Sequence, residues 1–253
     1  MGIAHLADLL REETPDAIQS PPPDHYQGKV LAVDASMFIW QFQSAMPPLS
    51  NRHGENISVL QGLFSRTIYM LEKGMKPVYV FDGVPPECKR AKVNKDGSGH
   101  IRKGVRTGQF PGSERHGDLK KLLELLGVPV IQAPSEAEAT CATLVKNGQA
   151  WGVVTEDMDA LPFGCTRLIR NLKADEKKNI EEYHLPDILS KLQMTQEQFV
   201  DMCILLGCDY TSKIKGLGKK KTLKMIHEYG TIEGILPTID PKDRIPPDFC
   251  YQE

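Results

Sequence analysis

Seven carboxylates carry the chemistry this sequence offers: Asp34, Asp82, Glu136, Glu138, Asp157, Asp159 and Asp209. Carboxylate oxygens are hard ligands that suit Mg2+ or Mn2+. Crowded together they repel one another, and cations relieve that repulsion. Such a cluster serves two-metal phosphodiester hydrolysis, in which ions about 4 Å apart activate a water and stabilise the leaving oxygen. Six of the seven also have a plainer reading. Asp34 and Asp82 could begin turns, Asp157 and Asp159 could solvate a loop, Glu136 could complement a helix dipole, and Glu138 could complete a capping box with Ser135. Position weighs against all of these holding at once, because the acids follow equivalent strand ends.

Those ends are read from hydrophobic pattern. Residues 29–33, 77–81 and 151–154 are short β-branched or aromatic runs, each leading into an acid or an acidic turn, and they predict buried parallel strands. Between the first two, Val59, Leu60, Leu63, Phe64, Ile68 and Leu71 recur at helical spacing, with Gly74 as the stop. A strand–helix–strand unit implies an α/β fold, a mostly parallel sheet flanked by helices. Ligands of such sheets bind beyond the carboxyl ends of the strands. Asp34, Asp82 and the pair Asp157 and Asp159 are thus delivered to one edge.

Leu119, Leu122, Leu123 and Leu126 predict a further helix ended by Gly127, and residues 128–133 a strand. The next helix is expected to start at a capping box of Ser135 and Glu138. Residues two apart do not share a helix face, so Glu136 and Glu138 converge only at an irregular helix entry. Residues 199–206 read as a buried helix, and residues 213–224 as a glycine-containing turn that opens another. From Pro237 the chain turns proline-rich and polar. Residues 87–118 hold six glycines and no sustained apolar period, which predicts a flexible excursion. There is no internal repeat.

The 253 residues carry a net charge of −2 with 40% hydrophobic and 25% charged residues, ordinary for a soluble globular protein. Net charge does not announce a nucleic-acid binder, but its distribution does. Lys213, Lys215, Lys219, Lys220, Lys221 and Lys224 fall within twelve residues that contain no acid. Glycines let a backbone approach phosphate, a helix N-terminus favours an anion, and lysines add salt-sensitive attraction. A merely solvated basic face is the alternative. The six cysteines form no C-x-x-C pair and no zinc spacing, so they read as reduced thiols of an intracellular protein. No apolar run nears the roughly 20 residues that span a bilayer, and no signal-peptide pattern opens the chain. Leu6 breaks the myristoylation motif that Met1-Gly2 would begin.

Six blocks, in order, resemble the signatures of eukaryotic flap endonucleases, in the XPG/RAD2 5′-nuclease family. They are Met1-Gly2-Ile3, Val33-Asp34-Ala35-Ser36, Val78-Tyr79-Val80-Phe81-Asp82-Gly83, Ala133-Pro134-Ser135-Glu136-Ala137-Glu138-Ala139, Thr155-Glu156-Asp157-Met158-Asp159 and Leu206-Gly207-Cys208-Asp209-Tyr210. The similarity covers nearly the whole chain except residues 87–118. It implies a PIN-like 5′-nuclease fold, with residues 1–86 and 119–236 as nuclease regions and 237–253 as a C-terminal segment. It implies two Mg2+ ions, replaceable by Mn2+, held directly or through water by the seven acids, and Gly2 near the active site once Met1 is removed. The activities implied are 5′-flap cleavage at single-strand/duplex junctions and 5′→3′ exonuclease action, for Okazaki-fragment maturation and long-patch base excision repair. A monomer in the nucleus, nucleolus and mitochondrion is expected, without membrane association. The acids are shared with relatives that act on bubbles or Holliday junctions, but the block-by-block match favours the flap enzymes. A non-catalytic DNA junction binder and a PIN-type ribonuclease stand as alternatives.

The resemblance also assigns DNA contacts. Lys215, Gly216, Gly218, Lys219, Lys220 and Lys221 look like the helix–two-turn–helix near residues 207–230, which grips duplex and binds K+. Trp40 stands where the family stacks an aromatic near the scissile phosphate, although a core position would serve it equally. Arg66 matches a DNA-contacting arginine. Residues 87–118 resemble a shortened helical gateway, and residues 87–121 hold ten Lys or Arg against four acids. Lys89 matches the gateway lysine at the scissile phosphate, where it could stabilise developing charge. Asp96 replaces the second basic residue, a role for which Lys95, Arg102 or Lys103 could substitute. An arch that must be ordered on DNA binding predicts slower or less selective cleavage. The family's sliding-clamp motif is not found in these residues, so clamp binding is not expected of them.

Overall fold

The computed structural model describes residues 2–87, 113–173, 179–240, 245–247, 249 and 251, apart from the side chains of 113–115. Seven strands form one sheet: β1 (Ile18–Gln19), β2 (Val30–Asp34), β3 (Lys76–Phe81), β4 (Val130–Gln132), β5 (Gly152–Val154), β6 (Arg167–Arg170) and β7 (Glu181–His184). Their spatial order is β1-β7-β6-β5-β2-β3-β4. The five strands from β6 to β4 are parallel, and β7 and β1 add an antiparallel edge. The parallel strands expected at 29–33, 77–81 and 151–154 are present as β2, β3 and β5, shifted by at most a residue at each end, and the strand expected at 128–133 is β4, shorter by two residues at its start and one at its end.

Alternation along the strands divides the interior into two cores. Leu31, Val33, Tyr79, Phe81, Val154 and Ile169 face one side, where α2 (Ala35–Ala45), α3 (Ser58–Glu72) and α4 (Ser113–Leu125) cover them with Phe38, Leu63, Met70 and Leu123. Ala32, Val80, Val153 and Leu168 face the other side. There α1 (Leu6–Glu13), α5 (Ala137–Lys146), α6 (Leu185–Leu192), α7 (Gln196–Leu206) and α8 (Lys219–Tyr229) pack. Chain order puts β3 on one flank of β2 and β5 on the other, so β2 marks the point where the topology reverses. Crevices at such points open beyond the strand ends.

Two expectations are corrected. The helix expected from Leu119 begins at Ser113, so the last six residues of the 87–118 excursion are helical. The Ser135/Glu138 capping box does not form. Glu136 holds the N-cap position of α5 with extended backbone and no side-chain cap. The Asp82 carboxylate takes over, accepting from the Ala137 amide at 2.7 Å. A reciprocal cap does form at α7, between Thr195 and Gln198. The remainder of the expected excursion, with Lys89, Lys95, Asp96, Arg102 and Lys103, lies outside the described residues.

Candidate metal centre

Asp34 is the last residue of β2 and the N-cap of α2. Its Oδ1 accepts from the Met37 amide at 3.0 Å and its Oδ2 from Thr155 Oγ1 at 2.9 Å. Asp82 leaves β3 next door. Gly83 makes its turn feasible, because a Cβ there would lie 2.2 Å from the Ala133 carbonyl oxygen and 2.6 Å from the Pro134 backbone. Asp157 follows β5 and caps a 3-10 turn over Met158–Ala160 through the Asp159 amide at 3.0 Å. Asp159 in turn accepts from the Ile3 amide at 3.0 Å, which pins the N-terminal segment onto the cluster. The extended backbone at Glu136 makes the entry of α5 irregular, the condition under which Glu136 and Glu138 can converge.

Carboxylate oxygens of Glu138, Asp157 and Asp159 lie within 4.8 Å of one another. Asp34, Glu136, Glu138, Asp157 and Asp159 are all buried, and Asp82 is half-buried. Burial, with the charges of Asp82 and then Asp157, pushes the Asp34 carboxyl up to about 7. Hard oxygen donors this close, at a cost in repulsion and desolvation, fit a divalent cation. Gly2 fits the same purpose: at φ 83° it packs so tightly that a Cβ would meet Asp157 Oδ1 at 2.0 Å and Asp159 Oδ1 at 2.7 Å. Glu136 is held from the other side by the Tyr210 hydroxyl, whose own pKa is raised by burial and by that carboxylate.

The sequence matches known proteins over the segments that build this cluster. Residues 1–100 match the XPG N-terminal domain and residues 127–209 the XPG I-region. All of the chain aligns with Flap endonuclease 1 of Leishmania braziliensis and of Danio rerio, at 44% identity in each case, spanning 71% and 73% of those proteins. This chain belongs to the flap endonuclease family. Among solved structures, the catalytic core of Rad2 in complex with DNA substrate is similar with a TM-score of 0.78 at 29% identity, covering 92% of this chain and 71% of that one. Flap endonuclease-1 from Methanococcus jannaschii follows with 0.71 at 28% identity, covering 87% and 77%.

As a flap endonuclease the chain is a structure-specific nuclease, and the family's divalent metal has a matching acidic cluster here. The remaining residues singled out by sequence lie on separate elements. Asp209 lies in the loop after α7, half-buried beside Tyr210, and is not one of the three acids whose oxygens meet within 4.8 Å. Trp40 is 40% exposed on α2, which answers the core alternative. It borders a cavity with Ile3, His5, Met37, Met158 and Arg170. Arg66 is not a plain surface arginine: its guanidinium lies 4.1 Å from the Phe38 ring centroid and 5.1 Å from that of Phe42. Ile214 and Leu217 are buried and anchor the basic turn, while Lys215, Gly216, Gly218, Lys220 and Lys221 are exposed. The Lys219 ammonium is 2.6 Å from Glu12 on α1. Sequence reading missed Thr155 and Tyr210. Each is adjacent to, or two residues from, an acid already identified, and that adjacency was the available signal.

Among the described residues no helix is long and apolar enough to cross a membrane. Cys141, Cys165, Cys203 and Cys208 are free thiols and buried.

Proposed function

We propose that this chain cuts 5′ flaps at the junction of single-stranded and duplex DNA and trims duplex ends 5′→3′, using two Mg2+ ions that Mn2+ can replace. The observation that carries the reading is the convergence of acids from β2, β3, β5 and the start of α5 at one sheet edge, all of them buried except half-buried Asp82. Asp34, Asp82, Glu136, Glu138, Asp157, Asp159 and Asp209 would hold the ions, directly or through water. Such ions supply Lewis acidity toward a phosphate oxygen and make water a better nucleophile. The chain's own part is to fix the donors before substrate arrives: Thr155 and the Met37 amide orient Asp34, the Ala137 amide orients Asp82, and Tyr210 orients Glu136. Attack in line would leave 5′-phosphate and 3′-hydroxyl ends.

Duplex would bind the exposed turn at Lys215, Gly216, Gly218, Lys220 and Lys221, where α8 presents its N-terminus. Lys219 shares its charge with Glu12 and contributes less. A K+ ion at this turn belongs to the same proposal. Trp40 would stack on an unpaired base, and Arg66 would support that helix face from its seat on Phe38. Lys89, outside the described residues, is assigned to the scissile phosphate. Okazaki-fragment maturation and long-patch base excision repair are the proposed processes. They place the protein, as a monomer, in the nucleus, with nucleolar and mitochondrial pools.

A labelled 5′-flap oligonucleotide incubated with Mg2+ or with EDTA tests the proposal. Cleavage at the junction is expected with Mg2+ alone, and Asp157→Ala should abolish it while leaving flap binding intact. Binding without cleavage by the parent chain would make it a junction binder. Faster cutting of single-stranded RNA than of the flap would make it a ribonuclease.

A further inference from the structure

The turn that carries Asp82 is held by residues outside the acidic cluster. Gln132 ends β4, the edge strand, and pairs with Phe81 across the ladder. Beyond Asp82 the backbone ties the Gly83 amide to the Ser135 carbonyl at 2.5 Å and the Val84 amide to the Pro134 carbonyl at 3.3 Å, and before it the Ala133 amide donates to the Phe81 carbonyl at 2.9 Å. At Asp82 itself the side chain of Gln132 adds another tie: its Nε2 donates to the Asp82 carbonyl at 2.6 Å and reaches the Phe81 carbonyl at 3.3 Å. On the outer side Lys120 Nζ donates to Gln132 Oε1 at 2.7 Å and lies 5.2 Å from the Phe81 ring centroid. An ammonium on the amide oxygen polarises the amide and strengthens its N–H donors. From the first turn of α2, Ser36 Oγ accepts from the Asp82 amide at 3.1 Å. The Asp82 peptide is therefore gripped at N–H and C=O by two side chains, while the Ala137 amide fixes its carboxylate at 2.7 Å.

We infer that Gln132, polarised by Lys120, is a positioning residue for Asp82, setting the carboxylate's place in the metal centre without touching ion or substrate. The geometry needs this residue type. Asparagine is one methylene short of the Asp82 carbonyl, and glutamate would turn an acceptor toward two carbonyls. Gln132 is exposed, so its replacement perturbs the turn and not the core. The inference rests on the metal reading above, and its test keeps the two apart.

Mn2+ binding to the full chain, without DNA, is measured by calorimetry and by the electron paramagnetic resonance of free Mn2+, with melting in EDTA as the check on folding. Gln132→Leu should weaken Mn2+ binding about tenfold, the usual scale for partners that orient metal ligands. Gln132→Glu should weaken it at least as much although it keeps the contact to Lys120, and Lys120→Met should weaken it less. Raised Mn2+ should restore flap cleavage in all three. Parent-like Mn2+ affinity in folded Gln132→Leu and Gln132→Glu overturns the assignment. If Gln132→Leu melts early, Gln132→Glu and Lys120→Met decide in the same way. Absence of Mn2+ binding by the parent chain is a separate failure, and it removes the metal centre itself.

Discussion

Raising the pH on the metal-free protein should destabilise it through one side chain, Asp34. Its carboxyl rises from an ordinary 3.8 to about 7 because it is buried and faces Asp82 and Asp157. The folded state therefore holds a proton that the unfolded chain has released. Stability rises with pH where the unfolded state binds more protons, so here it falls. The contribution is fully present below about pH 4 and is lost as pH climbs to about 7. The gap is equivalent to about 4 kcal/mol as a ceiling. The assay is urea denaturation in EDTA between pH 5 and 8.5, for the parent and for Asp34→Asn. The amide mimics the protonated acid, and its constant offset from losing an acceptor for Met37 or Thr155 does not affect the slope. The parent should lose stability toward pH 7 relative to Asp34→Asn, and added Mg2+ should remove the loss by displacing the proton. Parallel pH profiles for the two proteins would refute the reasoning.

The same contacts give further expectations. Gly2→Ala places a Cβ 2.0 Å from Asp157 Oδ1 in a left-handed conformation that itself costs about 1 kcal/mol. Flap cleavage should fall at least tenfold, by about 1.4 kcal/mol or more in barrier, with the melting temperature little changed, and an unaltered rate counts against the packing. Tyr210→Phe removes a donor from buried Glu136 and should cost about 1–3 kcal/mol in EDTA melts; equal stability would show that the hydroxyl does not matter. Lys215→Ala, Lys220→Ala and Lys221→Ala should each lower the slope of log affinity against log salt by about 1 for duplex DNA. Lys219→Ala should change it less, since Glu12 already engages that ammonium. An effect at Lys219 equal to those at Lys215 and Lys220 would contradict the ion pair's role.

The centre of the fold was legible because its signals are local. Short β-branched runs ending in Asp34, Asp82 and Asp157, with a 3.6-period helix between the first two, dictate parallel strands and acids at one edge. The sheet beyond β5 was not legible. Strands β6 and β7 read Arg-Leu-Ile-Arg and Glu-Glu-Tyr-His, and their charges are absorbed by tertiary pairs such as Arg11 with Glu181 at 2.9 Å and Tyr26 with Glu182 at 2.9 Å. The start of α5 misled for a related reason. Ser135 and Glu138 have capping-box spacing, but the cap comes from Asp82, 55 positions away, and Glu138 turns to the acidic cluster. The surroundings of Trp40 were not legible because sequence spacing does not say which face of a helix a neighbour covers. Trp40 is 40% exposed, and the Arg66 guanidinium packs on Phe38 and Phe42.

The central claim is that acids distant in the chain meet to hold divalent cations. Anomalous diffraction at the manganese edge, from crystals of this chain soaked in Mn2+, tests it most directly. A peak coordinated by Glu138, Asp157 and Asp159, absent in Asp157→Ala, is the predicted result. Manganese bound elsewhere, or none at those three carboxylates, would contradict it.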